Sequence, residues 1–163
     1  MKSCVFAGTF DPVTIGHTEV IDRCLKLFDK VNVVIADNPE KTPFFPTEER
    51  IKFISAAYKG NPQVSISVCK GLLVEYMKEN GETVNVRGIR NAEDYKYENV
   101  MTCFNSDMYG ELITVYVPTP PSIAHVSSTS IKQLIAVGAD FSAYVPKEAY
   151  PLMAQSIARR KKS

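Results

Sequence analysis

The residues best suited to chemistry lie near the start of the chain, in Gly8-Thr9-Phe10-Asp11-Pro12-Val13-Thr14-Ile15-Gly16-His17. Two glycines bracket a loop between a short apolar strand and an amphipathic helix. Glycine lets a backbone turn sharply and come close to a ligand, and a helix N-terminus attracts phosphate through its unpaired N–H groups. The loop lacks the lysine of a Walker A sequence and the G-x-G-x-x-G spacing of a dinucleotide-binding turn. What it adds is an imidazole at a helix start, where the dipole disfavours positive charge. A neutral His17 there can donate one N–H to a phosphate oxygen without acting as a base. Taken alone, it reads first as a helix-start histidine bonded to backbone.

Three later segments carry groups of the same kind. Arg87-Gly88-Ile89-Arg90 follows a predicted strand, and guanidinium forks bind oxyanions in pairs without deprotonating. It is followed by Asp94-Tyr95-Lys96-Tyr97-Glu98 and, further on, Asn105. Val126-Ser127-Ser128-Thr129-Ser130-Ile131-Lys132 opens a helix with a run of hydroxyls, which by themselves would serve as caps. Lys41 sits among the turn-forming residues of Asn38-Pro39-Glu40-Lys41-Thr42-Pro43 and, in isolation, is a surface charge. Leu73 reads equally as core.

Gly8-Thr9-Phe10-Asp11-Pro12 followed by Gly16-His17 resembles the signature of the nucleotidylyltransferase superfamily, related to the class I aminoacyl-tRNA synthetases. With the three later segments, the chain resembles the phosphopantetheine adenylyltransferases of bacterial coenzyme A synthesis, over nearly its whole length. The resemblance implies transfer of AMP from ATP to 4′-phosphopantetheine, giving dephospho-coenzyme A and pyrophosphate, with Mg²⁺ on the ATP phosphates and no metal ligand of the protein's own. It implies catalytic roles for Thr9, His17, Lys41 and Arg90. ATP would meet Thr9, Phe10, His17, Gly88, Ile89, Arg90, Glu98, the run Ile123-Ala124-His125-Val126, and Ser127, Ser128 and Thr129. The acceptor would meet Thr9, Lys41, Leu73, Arg87 and Asn105. A homohexamer and feedback by coenzyme A are further implications. Ala7, Thr129 and Lys132 depart from the usual pattern, and lysine loses the arginine fork, so Lys132 is assigned no phosphate. Nicotinamide-mononucleotide adenylyltransferase, a cytidylyltransferase and a nucleotide sensor without turnover are the rival readings.

These groups need elements to hold them. Val5–Ala7 reads as a buried strand, followed by a helix with Val20, Ile21, Cys24, Leu25 and Phe28 on one face. Val31–Ala36 is almost continuously apolar, as in parallel strands covered on both faces. Thr47 is expected to cap a helix whose inner face is Ile51, Ile54 and Ala57 or Tyr58. Further strands are expected at Val64–Val68, Thr83–Val86 and Leu112–Val117. Helices are expected at Leu72–Glu79, Ala92–Met108 and Ser128–Val137, with Gly81 and Gly138 as left-handed stops. A last helix begins near Pro146. Strands alternating with helices predict an α/β fold, a Rossmann-like doubly wound parallel five-stranded sheet with a C-terminal helical extension, and ligands beyond the carboxyl ends of the strands.

The 163 residues fit one domain, with about 159–163 as a frayed basic tail. With 45% hydrophobic and 23% charged residues and a net charge of +1, nothing marks a nucleic-acid binder. The sequence holds no apolar run of the roughly 20 residues that span a bilayer, and Lys2 with Thr9 and Asp11 does not read as an export signal, so the expected setting is cytoplasmic. Cys4, Cys24, Cys69 and Cys103 are widely spaced and expected to be inert thiols.

Overall fold

A computed structural model describes residues 1–37 and 42–160. Five strands, β1 (Ser3–Gly8), β2 (Lys30–Ala36), β3 (Val64–Cys69), β4 (Val84–Ile89) and β5 (Ile113–Pro118), form one parallel sheet in the order β3-β2-β1-β4-β5. Between and after them run α1 (Ile15–Cys24), α2 (Thr47–Ala57), α3 (Leu73–Glu79), α4 (Ala92–Met108), α5 (Ser128–Ala136) and α6 (Tyr150–Arg160). This is the expected Rossmann-like arrangement.

Side chains alternate across each strand, and the two faces of β1 show it. Cys4 and Phe6 enter the larger core with residues of α1, α2, α5 and α6, while Val5 and Ala7 face the smaller one with Val74 and Met77 of α3. The chain winds outward from β1 to β3 and then returns to place β4 on the other side of β1. That reversal is where such sheets open a crevice. The register shows how it opens: β1 stays paired with β2 as far as Gly8↔Ile35, but its pairing with β4 stops at Phe6↔Val86. Beyond that point β1 and β4 part.

Several local expectations are corrected. Helix α1 ends at Cys24, so Leu25 and Phe28 lie past it. Thr47 does not cap α2; Pro46 occupies that position and the Thr47 hydroxyl donates to Asp37 Oδ2 at 2.9 Å. The buried residues of α2 are Arg50, Phe53 and Ile54, with Ile51 only partly covered. Strand β4 runs on through Arg87, Gly88 and Ile89, because those residues pair with Tyr116, Val117 and Pro118 of β5. Gly81 and Gly138 do take left-handed φ values of +66° and +71°. Arg160 is no frayed tail: it reaches the Phe44 carbonyl, bonds Glu49 Oε2 at 2.8 Å, and lies 4.8 Å from the Phe45 ring centroid. Three thiols are buried, and Cys103 is exposed on α4.

Candidate active site

At the β1–β4 reversal lies a cleft of about 270 Å³. Its floor is the end of β1 (Ala7, Gly8) and Arg87–Gly88 of β4; α1 contributes Gly16, His17 and Val20, and α5 contributes Ser128 behind its cap, Ser127. Gly88 makes this closeness workable. A Cβ built there would meet Val20 Cγ2 at 3.0 Å, so a side chain at this position would require Val20 of α1 to give way by a few tenths of an ångström.

His17 is fixed by its own helix start. The backbone N–H of Thr14, which precedes α1, donates to His17 Nδ1 at 3.0 Å, and the Thr14 hydroxyl lies 3.1 Å from the same nitrogen. A backbone amide can only donate, so Nδ1 must be unprotonated and the neutral ring carries its proton on Nε2. Burial, with Arg90 and Arg87 next in weight, lowers the His17 pKa to about 4. The ring is therefore neutral, as expected, with burial and two neighbouring guanidinium groups as the causes.

The arginines arrive already engaged. Arg87 Nε donates to Glu98 Oε2 at 2.7 Å, its Nη2 to the other Glu98 oxygen, and its Nη1 to the Ala7 carbonyl at 2.8 Å. Arg90 makes two side-chain bonds to Asp94, at 2.8 and 3.0 Å. Both carboxylates line the cleft beside them. Arg87 and Glu98, expected on acceptor and ATP respectively, thus face each other. Asn91 caps α4 through the Asp94 N–H at 2.8 Å, which orients the helix that carries both acids.

The hydroxyls of the α5 start are used twice over. Ser127 accepts from the Ser130 N–H at 3.0 Å as an N-cap, and Ser128 Oγ donates to the Pro12 carbonyl at 2.8 Å, tying α5 to the first loop. Helix geometry leaves the amides of Ser128 and Thr129 without an intrahelical acceptor. Lys132 Nζ is 3.9 Å from Asp11 Oδ2.

Of the residues singled out in the sequence, the cleft gathers His17, Arg87, Gly88, Arg90, Glu98, Val126, Ser127 and Ser128. Thr9 is exposed just beyond it, and Ile89 ends β4. Phe10 is fully buried with φ of 47°, and its ring centroid lies 4.9 Å from that of His17, so its side chain supports the histidine from the core. Ile123 packs on the main core, Ala124 ends a 3-10 turn, and Thr129 is exposed. His125 instead borders a second hollow of about 420 Å³ with Leu134, Val137 and Tyr144. Leu73 packs with the smaller core and Asn105 lies on α4. Lys41 lies outside the described residues. Sequence reasoning missed Asp94, Thr119 and Arg50; a lone arginine within a helical pattern gives no sign that it is buried.

Comparison with known proteins agrees with this architecture. The family model described as cytidylyltransferase-like matches residues 5–134. A phosphopantetheine adenylyltransferase of Thermotoga neapolitana is 42% identical over 144 residues, covering 88% of this chain and 89% of the relative. One from Clostridium botulinum is 34% identical over 161 residues (99% and 98%), and one from Limosilactobacillus reuteri is 38% identical over 146 (90% and 84%). With identity at this level over nearly all of both chains, and with a parallel sheet whose reversal holds the signature histidine, this chain belongs to the phosphopantetheine adenylyltransferase family of nucleotidyltransferases.

Proposed function

We propose that this chain transfers AMP from ATP to 4′-phosphopantetheine, reversibly, giving dephospho-coenzyme A and pyrophosphate. The observation that carries this reading is a neutral histidine with its Nε2 proton free to donate, at a helix start beside Arg87, Arg90 and a second helix start. The acceptor phosphate is already an anionic nucleophile, so no covalent enzyme intermediate is needed. One of its oxygens attacks the α-phosphorus in line with the departing pyrophosphate, and the protein positions the anions and stabilises their charge. In this reading Thr9, His17, Lys41 and Arg90 serve the crowded phosphorus. The amides of Ser128 and Thr129 face the triphosphate, and Arg87 with Leu73 and Asn105 serves the acceptor.

Mg²⁺ enters with ATP, held by phosphate oxygens and water. Among the described residues no group of three or more His, Cys, Asp or Glu could hold a metal ion. None of the described helices is long and apolar enough to cross a membrane, and we place the reaction in the cytoplasm with its substrates.

Helix α4 supports a homo-oligomer. Its sheet-facing side is polar or aromatic: Glu98 meets Arg87, Thr102 meets the Tyr116 hydroxyl, and Tyr95 packs on Tyr116. Its outward stripe is apolar, with Tyr97 70%, Met101 44%, Phe104 58% and Met108 48% exposed at helical spacing. A helix with its apolar stripe outward matches a surface covered by another copy; the hexameric number rests on the family resemblance.

The test is pyrophosphate release from ATP in the presence of 4′-phosphopantetheine, nicotinamide mononucleotide, or no acceptor. Release with phosphopantetheine alone is expected. Preference for the mononucleotide would move the chain to another acceptor, and no release with either would leave a nucleotide sensor.

A further inference from the structure

Arg50 is only 2% exposed and is among the largest fully buried side chains. Its Nη1 donates to the Thr9 carbonyl at 2.9 Å, and its Nη2 bonds Asp37 Oδ1 at 2.9 Å and Thr47 Oγ1 at 2.8 Å. Its Nε has no hydrogen-bond partner. A buried ion pair rarely stabilises a fold more than a well-packed apolar side chain of similar volume, and an orphaned N–H makes the comparison worse. Stability alone is therefore a poor reason for an arginine here.

What Arg50 holds supplies a better one. Thr9 precedes Phe10, whose φ of 47° lies in the left-handed region that bulky residues rarely adopt. A turn with that conformation does not hold itself. Arg50 grips it from beneath at Thr9, and the next residues are gripped through Asp11, whose carboxylate accepts the Phe44 and Phe45 N–H groups at 2.7 Å each. Between the two grips, the Phe10 ring lies against the His17 ring. Relaxation at the Thr9 carbonyl would shift Phe10, whose ring bears on that of the histidine.

We propose that Arg50 is a positioning residue for adenylyl transfer, fixing the Gly8–Pro12 turn so that Thr9 and His17 address the same phosphate. The inference rests on the function proposed above. Displacing reacting groups by about 1 Å costs about 10²-fold in rate, whereas the ATP contacts from α5 and β4 are untouched. Arg50→Met keeps the volume and removes the donors. It should fold with a lowered melting temperature, because Asp37 and the Thr9 carbonyl lose their donor. Assayed below that temperature, it should keep its KM for ATP within about threefold and lose about 10²-fold in kcat. Arg50→Ala leaves a space shaped for a guanidinium. Guanidinium at millimolar concentration should restore its kcat saturably, while methylammonium and urea should not.

The parent enzyme, assayed alongside, separates the two claims. A parent without pyrophosphate release overturns the proposed function and this inference with it. An active parent with Arg50→Met within about threefold of its kcat overturns this inference alone. So does a kcat loss in Arg50→Met that is matched by an equal rise in KM for ATP, or an Arg50→Ala that folds and is not rescued. Should Arg50→Ala fail to fold, Arg50→Met decides by its kcat and KM.

Discussion

His17 should stay neutral, with its proton on Nε2, throughout the working pH range. Burial first, then Arg90 and Arg87, take its pKa from 6.5 to about 4, a preference for the neutral ring of about 3 kcal/mol. At pH 5.5 an ordinary histidine is mostly charged, whereas about 3% of His17 rings would be. The rate profile is an indirect reporter, because the acceptor phosphate takes up its second proton near pH 6. Long-range ¹H–¹⁵N correlation of the imidazoles reads the ring itself, and a His125→Gln variant assigns the signals. Nδ1 should resonate as an unprotonated nitrogen from pH 9 down to about 5, with titration near 4. The linkage has a definite sign. The unfolded chain binds this proton more readily, so stability is full above 6.5 and falls as pH drops from 6.5 towards 4. His17→Ala should remove that part of the acid sensitivity and cost about 10²–10³-fold in kcat, as loss of one oxyanion donor does. A ring that titrates between pH 6 and 7, or an alanine variant with near-parent kcat, would refute the reasoning.

Other changes probe the walls of the cleft. Lys41→Ala and Arg87→Ala should each weaken phosphopantetheine binding more than ATP binding in isothermal titration; equal loss for both ligands would contradict the assignment. Gly88→Ala puts a methyl group 3.0 Å from Val20 Cγ2, and overpacking of this kind costs about 1–3 kcal/mol. Its melting temperature should fall by several degrees, with kcat falling too because His17 rides on α1; an unchanged melting curve would show that the helix gives way freely. Phe104→Glu places a charge in the outward stripe of α4. Sedimentation velocity should then show smaller assemblies, and an unchanged mass would move the subunit contact elsewhere.

The first loop was legible because its chemistry is local. Thr14 and His17 are three residues apart, so the helix start alone brings the amide to Nδ1 and sets the tautomer. The strands and helices were legible for a similar reason: hydrophobic period and punctuation by Gly81 and Gly138 are properties of short windows. Phe10 shows the limit. The resemblance implies that it meets ATP, but its place in the motif does not show that its ring is buried against His17. Arg87 and Glu98 were expected on different ligands, and only the packing of α4 on β4 reveals that they pair.

By itself, then, the sequence determined the alternation of elements, the phosphate-seeking turn and the neutral histidine, all of which depend on neighbours a few residues apart. The tertiary structure decided the strand order, the parting of β1 from β4 after Phe6↔Val86, the Arg50 grip on Thr9, and the docking of Arg160 against Phe44 and Phe45. Each joins residues far apart in the chain. Such pairs are selected by which buried donors, acceptors and apolar faces can be satisfied together, and no short window of sequence contains that information.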